Sequence, residues 1–234
     1  FTIHCAQFKI IKYFIEQKKM EIFSLISAIL FTIFTGIAFL GIPIERYVST
    51  SGEKSKGYYF TISENYSKSK ILRMTIAAFA FVLVFSFPLA IYFYTDCVNP
   101  HNRISAGTIA GIAGVMGFST LVTLKWLKTT STLHLTMALL AFVLGVVSLW
   151  LAADDIDSYI LSGTATLGLI IAIAFGSKMV NLHDLFKATQ VTDQRKSRQI
   201  TAWVASGELL LLLSIIIYLF FASFDDRCKL IGTT

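Results

Sequence analysis

Six apolar stretches, each about as long as a bilayer's hydrocarbon is thick, divide this chain and restrict it to one kind of fold. They lie at about 21–42, 72–95, 104–127, 132–153, 157–179 and 200–223. A helix needs ~20 residues to cross ~30 Å of hydrocarbon, and each stretch supplies that length. Lipid offers no partner to backbone N–H and C=O groups, so only helices and closed barrels cross it. The stretches do not alternate with period two, which excludes barrel strands. The expected fold is therefore all-α, a polytopic transmembrane six-helix bundle over 21–223, with a short C-terminal tail at 224–234. Composition agrees: 55% of residues are hydrophobic and 15% charged, where a soluble domain carries about a quarter charged. A bundle of this size leaves no room for a soluble domain.

Lys and Arg in the connections set the expected orientation. Thirteen follow spans one, three and five: Arg46, Lys54, Lys56, Lys68, Lys70, Arg73, Lys125, Lys128, Lys178, Lys187, Arg195, Lys196 and Arg198. The other connections and the C-terminal tail hold only Arg103, Arg227 and Lys229. The positive-inside rule then predicts odd-numbered loops in the cytoplasm and both termini outside. Lys9, Lys12, Lys18 and Lys19 oppose this without reversing it. Residues 1–20 read either as an upstream extension, with Met20 a natural start, or as an interfacial amphipathic helix. The first span ends in Pro43-Ile44-Glu45-Arg46 rather than a small-residue cleavage site, unlike a signal peptide. The same rule accounts for the net charge of +6 as basic loops, so nucleic acid is not an expected partner. The expected partners are the lipid bilayer and either further membrane subunits or a second copy of the chain.

Pro88 falls inside the second span, where it removes a helical hydrogen bond and predicts a kink. Trp126, Trp150 and Trp203 fall near span ends, where indole favours the headgroup layer. The connection at 43–71 holds a candidate hairpin at Gly57–Ile62 and an Asn65-Tyr66-Ser67 acceptor pattern, which the expected orientation places inside.

Glu208 is the one acidic residue deep in a span. An ionised, unpartnered carboxyl there costs several kcal/mol, so it is neutral or paired. Such a group marks a proton relay, a cation ligand or a substrate anchor, or else a hydrogen bond that holds the bundle together. Gly107, Gly111, Gly114 and Gly117 form a small-residue stripe on the third span, with Thr108 beside it. The fifth span repeats the theme with Ser162, Thr166 and further glycines. Two readings stand: tight helix packing, or a polar path between spans three, five and six that contains Glu208.

Asp154, Asp155 and Asp157 cluster between spans four and five, and Asp225 and Asp226 follow span six. All five face outside in the expected orientation, either as an acidic rim that concentrates cations or as ordinary turn solvation. Cys97 and Cys228 lie beyond the ends of spans two and six on that side, a candidate disulfide in an oxidising compartment. No cysteine or histidine spacing fits a metal, and no intraspan histidines oppose each other for haem; no cofactor is expected. The GxSxG, HExxH and Walker patterns are absent, so no catalytic constellation is visible. The leading functional expectation is a small transporter or channel-like protein that uses Glu208. The alternative is a non-catalytic subunit or assembly factor of a larger membrane complex.

Overall fold

The computed structural model describes residues 2–41, 70–123, 132–189 and 194–225. Six helices make up nearly all of them: α1 Thr2–Gly36, α2 Lys70–Val98, α3 Arg103–Thr123, α4 Thr132–Ala152, α5 Ile156–Thr189 and α6 Gln194–Ser223. A π-helical turn, Ile37–Gly41, continues α1. Each helix contains a segment long and apolar enough to cross a membrane: Glu21–Phe39, Met74–Val98, Arg103–Val122, Leu133–Ala152, Ile156–Gly176 and Ala202–Ser223. The sequence-expected spans reappear with their ends moved by a few residues. The connection at 43–71 up to residue 69, Trp126, Lys125, Lys128, Asp226 and Cys228 lie outside the described residues.

Residues 2–20 and the first apolar segment are one continuous helix, with no break at Met20. Ile15, Lys18 and Lys19 are exposed on it. α1 packs on α2 and α6, α2 on α3, α3 on α4, and α5 on α6. A lighter contact between α4 and α5 closes the ring. Large apolar side chains such as Phe81, Phe85, Ile170 and Phe221 point outward, as expected where the solvent is lipid.

Two ends can be told apart. At the aspartate end, α2 turns into α3 at 99–102 and α4 into α5 at 153–155. There the Arg103 guanidinium pairs with Asp96. Asn102 Nδ2 donates to the Leu151 carbonyl at 3.4 Å, tying the first turn to α4. Phe23 stacks on Phe93 at 5.6 Å, which brings the start of the first span to this end. The opposite end is where α1, α3 and α5 finish and α2, α4 and α6 begin, next to the lysine-rich stretches of the sequence.

Because lipid is as apolar as leucine, close backbone contact and van der Waals packing must hold such helices together. Two crossings supply it. On α3, a Cβ placed on Gly107 would fall 3.0 Å from Tyr92 Cβ, one on Gly111 3.7 Å from Pro88 Cβ, and one on Gly114 3.2 Å from Val84 Cα. The glycine stripe therefore beds onto α2. Gly114 meets the Val84 backbone one turn before Pro88, where proline deprives the Val84 carbonyl of its helical donor. The tighter crossing is α5 on α6. A Cβ on Gly168 would lie 2.8 Å from the Gly207 carbonyl oxygen, and one on Gly207 2.6 Å from the Ala172 nitrogen.

Candidate functional site: an apolar cavity that contains Glu208

Glu208 lies six residues after Ala202, so about 9 Å into the last apolar segment at ~1.5 Å per residue. Its neighbour Gly207 is committed to α5. A helix turns about 100° per residue, so Glu208 faces elsewhere and shares a stripe with residues three, four and seven further on. That stripe, Glu208, Leu211, Leu212 and Ile215, forms one wall of a cavity of about 150 Å³. Glu208 is 9% exposed.

The same helical spacing builds the other walls. α2 contributes Ala80, Leu83, Val84 and Phe87, and α4 contributes Ala138, Ala141, Phe142 and Gly145. α1 adds Phe31 and Phe34, and α3 adds Gly114, Gly117, Phe118 and Thr120 among others. The void arises because small residues on α3 and α4 face large ones on α1, α2 and α6. A Cβ on Gly145 would meet nothing within 4 Å, although the residue is buried. Phe31 and Phe87 meet edge to face at 5.5 Å and fix one side.

The polar content is small. Besides Glu208 the walls carry the Thr120 hydroxyl, which donates to the Met116 carbonyl of its own helix at 2.7 Å. His134 is 1% exposed, one turn before Ala138, and is hydrogen-bonded to the Thr120 backbone. It therefore sits at the lysine-rich end of the cavity, on a residue that lines it. Sequence spacing did not connect His134, Thr120 and Glu208. The available signal was the run of small residues Ala138, Ala141 and Gly145, which marks the cavity-facing stripe of α4.

The remaining sequence-expected residues are elsewhere. Gly117 is in the cavity wall, while Gly107 and Gly111 face α2 and Thr108 is exposed. Ser162 is buried, its Oγ without a hydrogen-bond partner among the described residues. Its carbonyl accepts from Thr166, and Thr166 Oγ1 accepts from Trp150 Nε1 at 2.9 Å, joining α4 to α5. Among the described residues, none of α5 lines the cavity around Glu208. The walls come from α1, α2, α3, α4 and α6, where a path between spans three, five and six was one expectation.

At the aspartate end, Asp155, Asp157 and Asp225 line a second hollow of about 200 Å³, above the ring pair of Tyr94 and Tyr218. The Tyr94 hydroxyl donates to Asp225 Oδ2 at 3.4 Å. Asp155 caps α5: Ser158 N–H donates to Asp155 Oδ1 at 2.8 Å, and Ser158 Oγ accepts from the Asp154 and Asp155 amides. Asp154 and Asp157 are exposed. Among the described residues no group of three His, Cys, Asp or Glu side chains is arranged to hold a metal ion. Cys97 is disulfide-bonded, to a cysteine outside the described side chains. Comparison of the chain with protein-family models, curated proteins and solved structures finds no match.

Proposed function

We propose that this is a polytopic membrane protein acting as a small transporter or channel-like protein, with Glu208 as the group that meets the transported species. In this reading the lysine-rich connections are cytoplasmic and the aspartate end is outside, following the charge asymmetry of the loops. The observation that carries the proposal is the location of Glu208 on a cavity wall, rather than in the α5–α6 seam that begins one residue earlier. A carboxyl that served only to clamp helices would gain most from that seam, where backbones touch. One on the wall of a void about 9 Å into the span is placed where a species inside that void would meet it. α4 and α6 both line the void, and α5 packs against each of them.

The test is flux in vesicles containing the purified full-length chain, with proton and monovalent-cation fluxes read by internal dyes. Glu208→Gln removes the ionisable group and keeps the shape. The expected result is a loss of protein-dependent flux of at least about tenfold, from removing an interaction made only in passage. Equal flux through the wild type and a folded Glu208→Gln variant would overturn the proposal.

A further inference from the structure

We propose that the cavity beside Glu208 is a binding site for a small uncharged apolar molecule of single-ring size, recognised by its hydrocarbon walls and not by the carboxyl. The inference goes beyond the transport reading and does not rest on it.

The polar groups narrow the class of guest. Only Glu208 and Thr120 bring polar side chains to the lining. Glu208 already has an interaction within the protein. The Thr120 hydroxyl already donates to the Met116 carbonyl at 2.7 Å. No Lys, Arg or His is among the lining residues. A charged guest would lose its hydration and find both polar groups engaged, which makes its burial costly. Water is served little better, since a buried water makes about three hydrogen bonds. Hydrocarbon has no such requirement.

Size and shape narrow it further. The cavity is about 150 Å³, and an engineered cavity on the order of 150 Å³ lined by Leu, Ile and Phe binds benzene. The same residue types stand here in Phe31, Leu83, Phe87, Leu211, Leu212 and Ile215. Phe31 and Phe87 meet edge to face at 5.5 Å, and an aromatic guest can meet either ring in that geometry. Close backbone packing does not impose this room. A Cβ on Gly114 would crowd Val84 Cα at 3.2 Å, so the α2–α3 crossing favours glycine there. Gly145 is under no such demand: it is buried in the lining, yet a Cβ on it would meet nothing within 4 Å. A methyl at 145 would enter the cavity unopposed, so this is volume that the sequence leaves to a guest.

The test uses the full-length chain in lipid nanodiscs, with empty nanodiscs as the partition control and fluorine NMR as the readout. The probes share one ring and differ in charge: para-fluorotoluene, para-fluorobenzylamine and para-fluorobenzoate. para-Fluorotoluene is expected to bind saturably, and the two charged probes only to partition as they do into empty discs. Gly145→Ala and Gly145→Val should weaken para-fluorotoluene stepwise, the valine at least about tenfold. Gly163→Val, outside the lining, should leave its affinity unchanged. Leu212→Ala enlarges the same cavity and should admit fluoronaphthalene, which the wild type excludes. If Gly145→Val fails to fold, Leu212→Ala decides. Absence of saturable para-fluorotoluene binding, as when lipid chain ends already fill the space, would overturn the inference. So would charged probes that bind as tightly, or undiminished affinity in folded Gly145→Val. The readout is binding alone: loss of the transport reading in the flux assay leaves this site standing, and failure to bind leaves the transport reading standing.

Discussion

At the residue scale, acidic groups in this molecule serve different ends according to their surroundings. Glu208 is buried on an apolar wall, where an acidic group is costly unless it is neutral or partnered. Asp155, by contrast, is explained locally, because its carboxylate takes an orphan amide at the start of α5. Asp155→Ala should therefore lower stability by about 1 kcal/mol, read as a fall in the thermal midpoint of the detergent-solubilised protein, while flux stays at the wild-type level. A loss of flux without loss of stability would instead make the aspartate rim part of the pathway. Glu208 was legible in the sequence because a carboxyl among apolar residues has no bland composition to hide in. His134 was not, since its role depends on which helix brings Thr120 beside it, and that is a tertiary fact.

At the element scale, the fold rests on where backbones touch. The α3 stripe could be read from its three- and four-residue glycine spacing, and it beds onto α2. The closer α5–α6 crossing left less trace, because it needs only Gly168 on one helix and Gly207 on the other. Periodicity cannot flag a single glycine. The consequence is testable: Gly207→Val drives a side chain into α5 backbone atoms 2.6 and 2.7 Å away, which cannot move aside. It should cost about 3 kcal/mol or more, seen as aggregation on extraction or a large fall in thermal midpoint. Gly163→Val, at a position where a Cβ meets nothing within 4 Å, is expected to behave like the wild type. Equal stability of the two variants would contradict the crossing. Hydroxyl residues are a second place where spacing misleads. Thr95, Thr120 and Ser214 each donate to the carbonyl four residues earlier in their own helix, at 2.6–2.8 Å. They need no neighbour, so a hydroxyl-rich face is not by itself a polar path.

At the scale of the whole molecule, six apolar helices and two unlike ends follow from the hydropathy and charge patterns. The position of the cavity does not, because it depends on which helices become neighbours. The disulfide at Cys97 bears on which end is which. The ends of α2 and α6 meet, as the Tyr94–Asp225 bond and the Tyr94–Tyr218 rings show. Cys228 follows Asp225 by three residues, whereas Cys5 precedes Phe23 by eighteen helical residues, or ~27 Å along α1. A disulfide needs Cα atoms within about 7 Å, so non-reducing peptide mapping should find Cys97 joined to Cys228, and the aspartate end should face an oxidising compartment. A Cys5–Cys97 peptide, or free Cys97 in protein from intact cells, would contradict that orientation. The account as a whole stands on an intramembrane carboxyl that lipid-borne molecules can reach. Mass mapping after treating membranes with a lipid-soluble carbodiimide, which attacks protonated carboxyls, measures this directly. Modification concentrated at Glu208, slowed by Gly145→Val and absent with a water-soluble carbodiimide, is the predicted result; a folded protein whose Glu208 stays unmodified would contradict it.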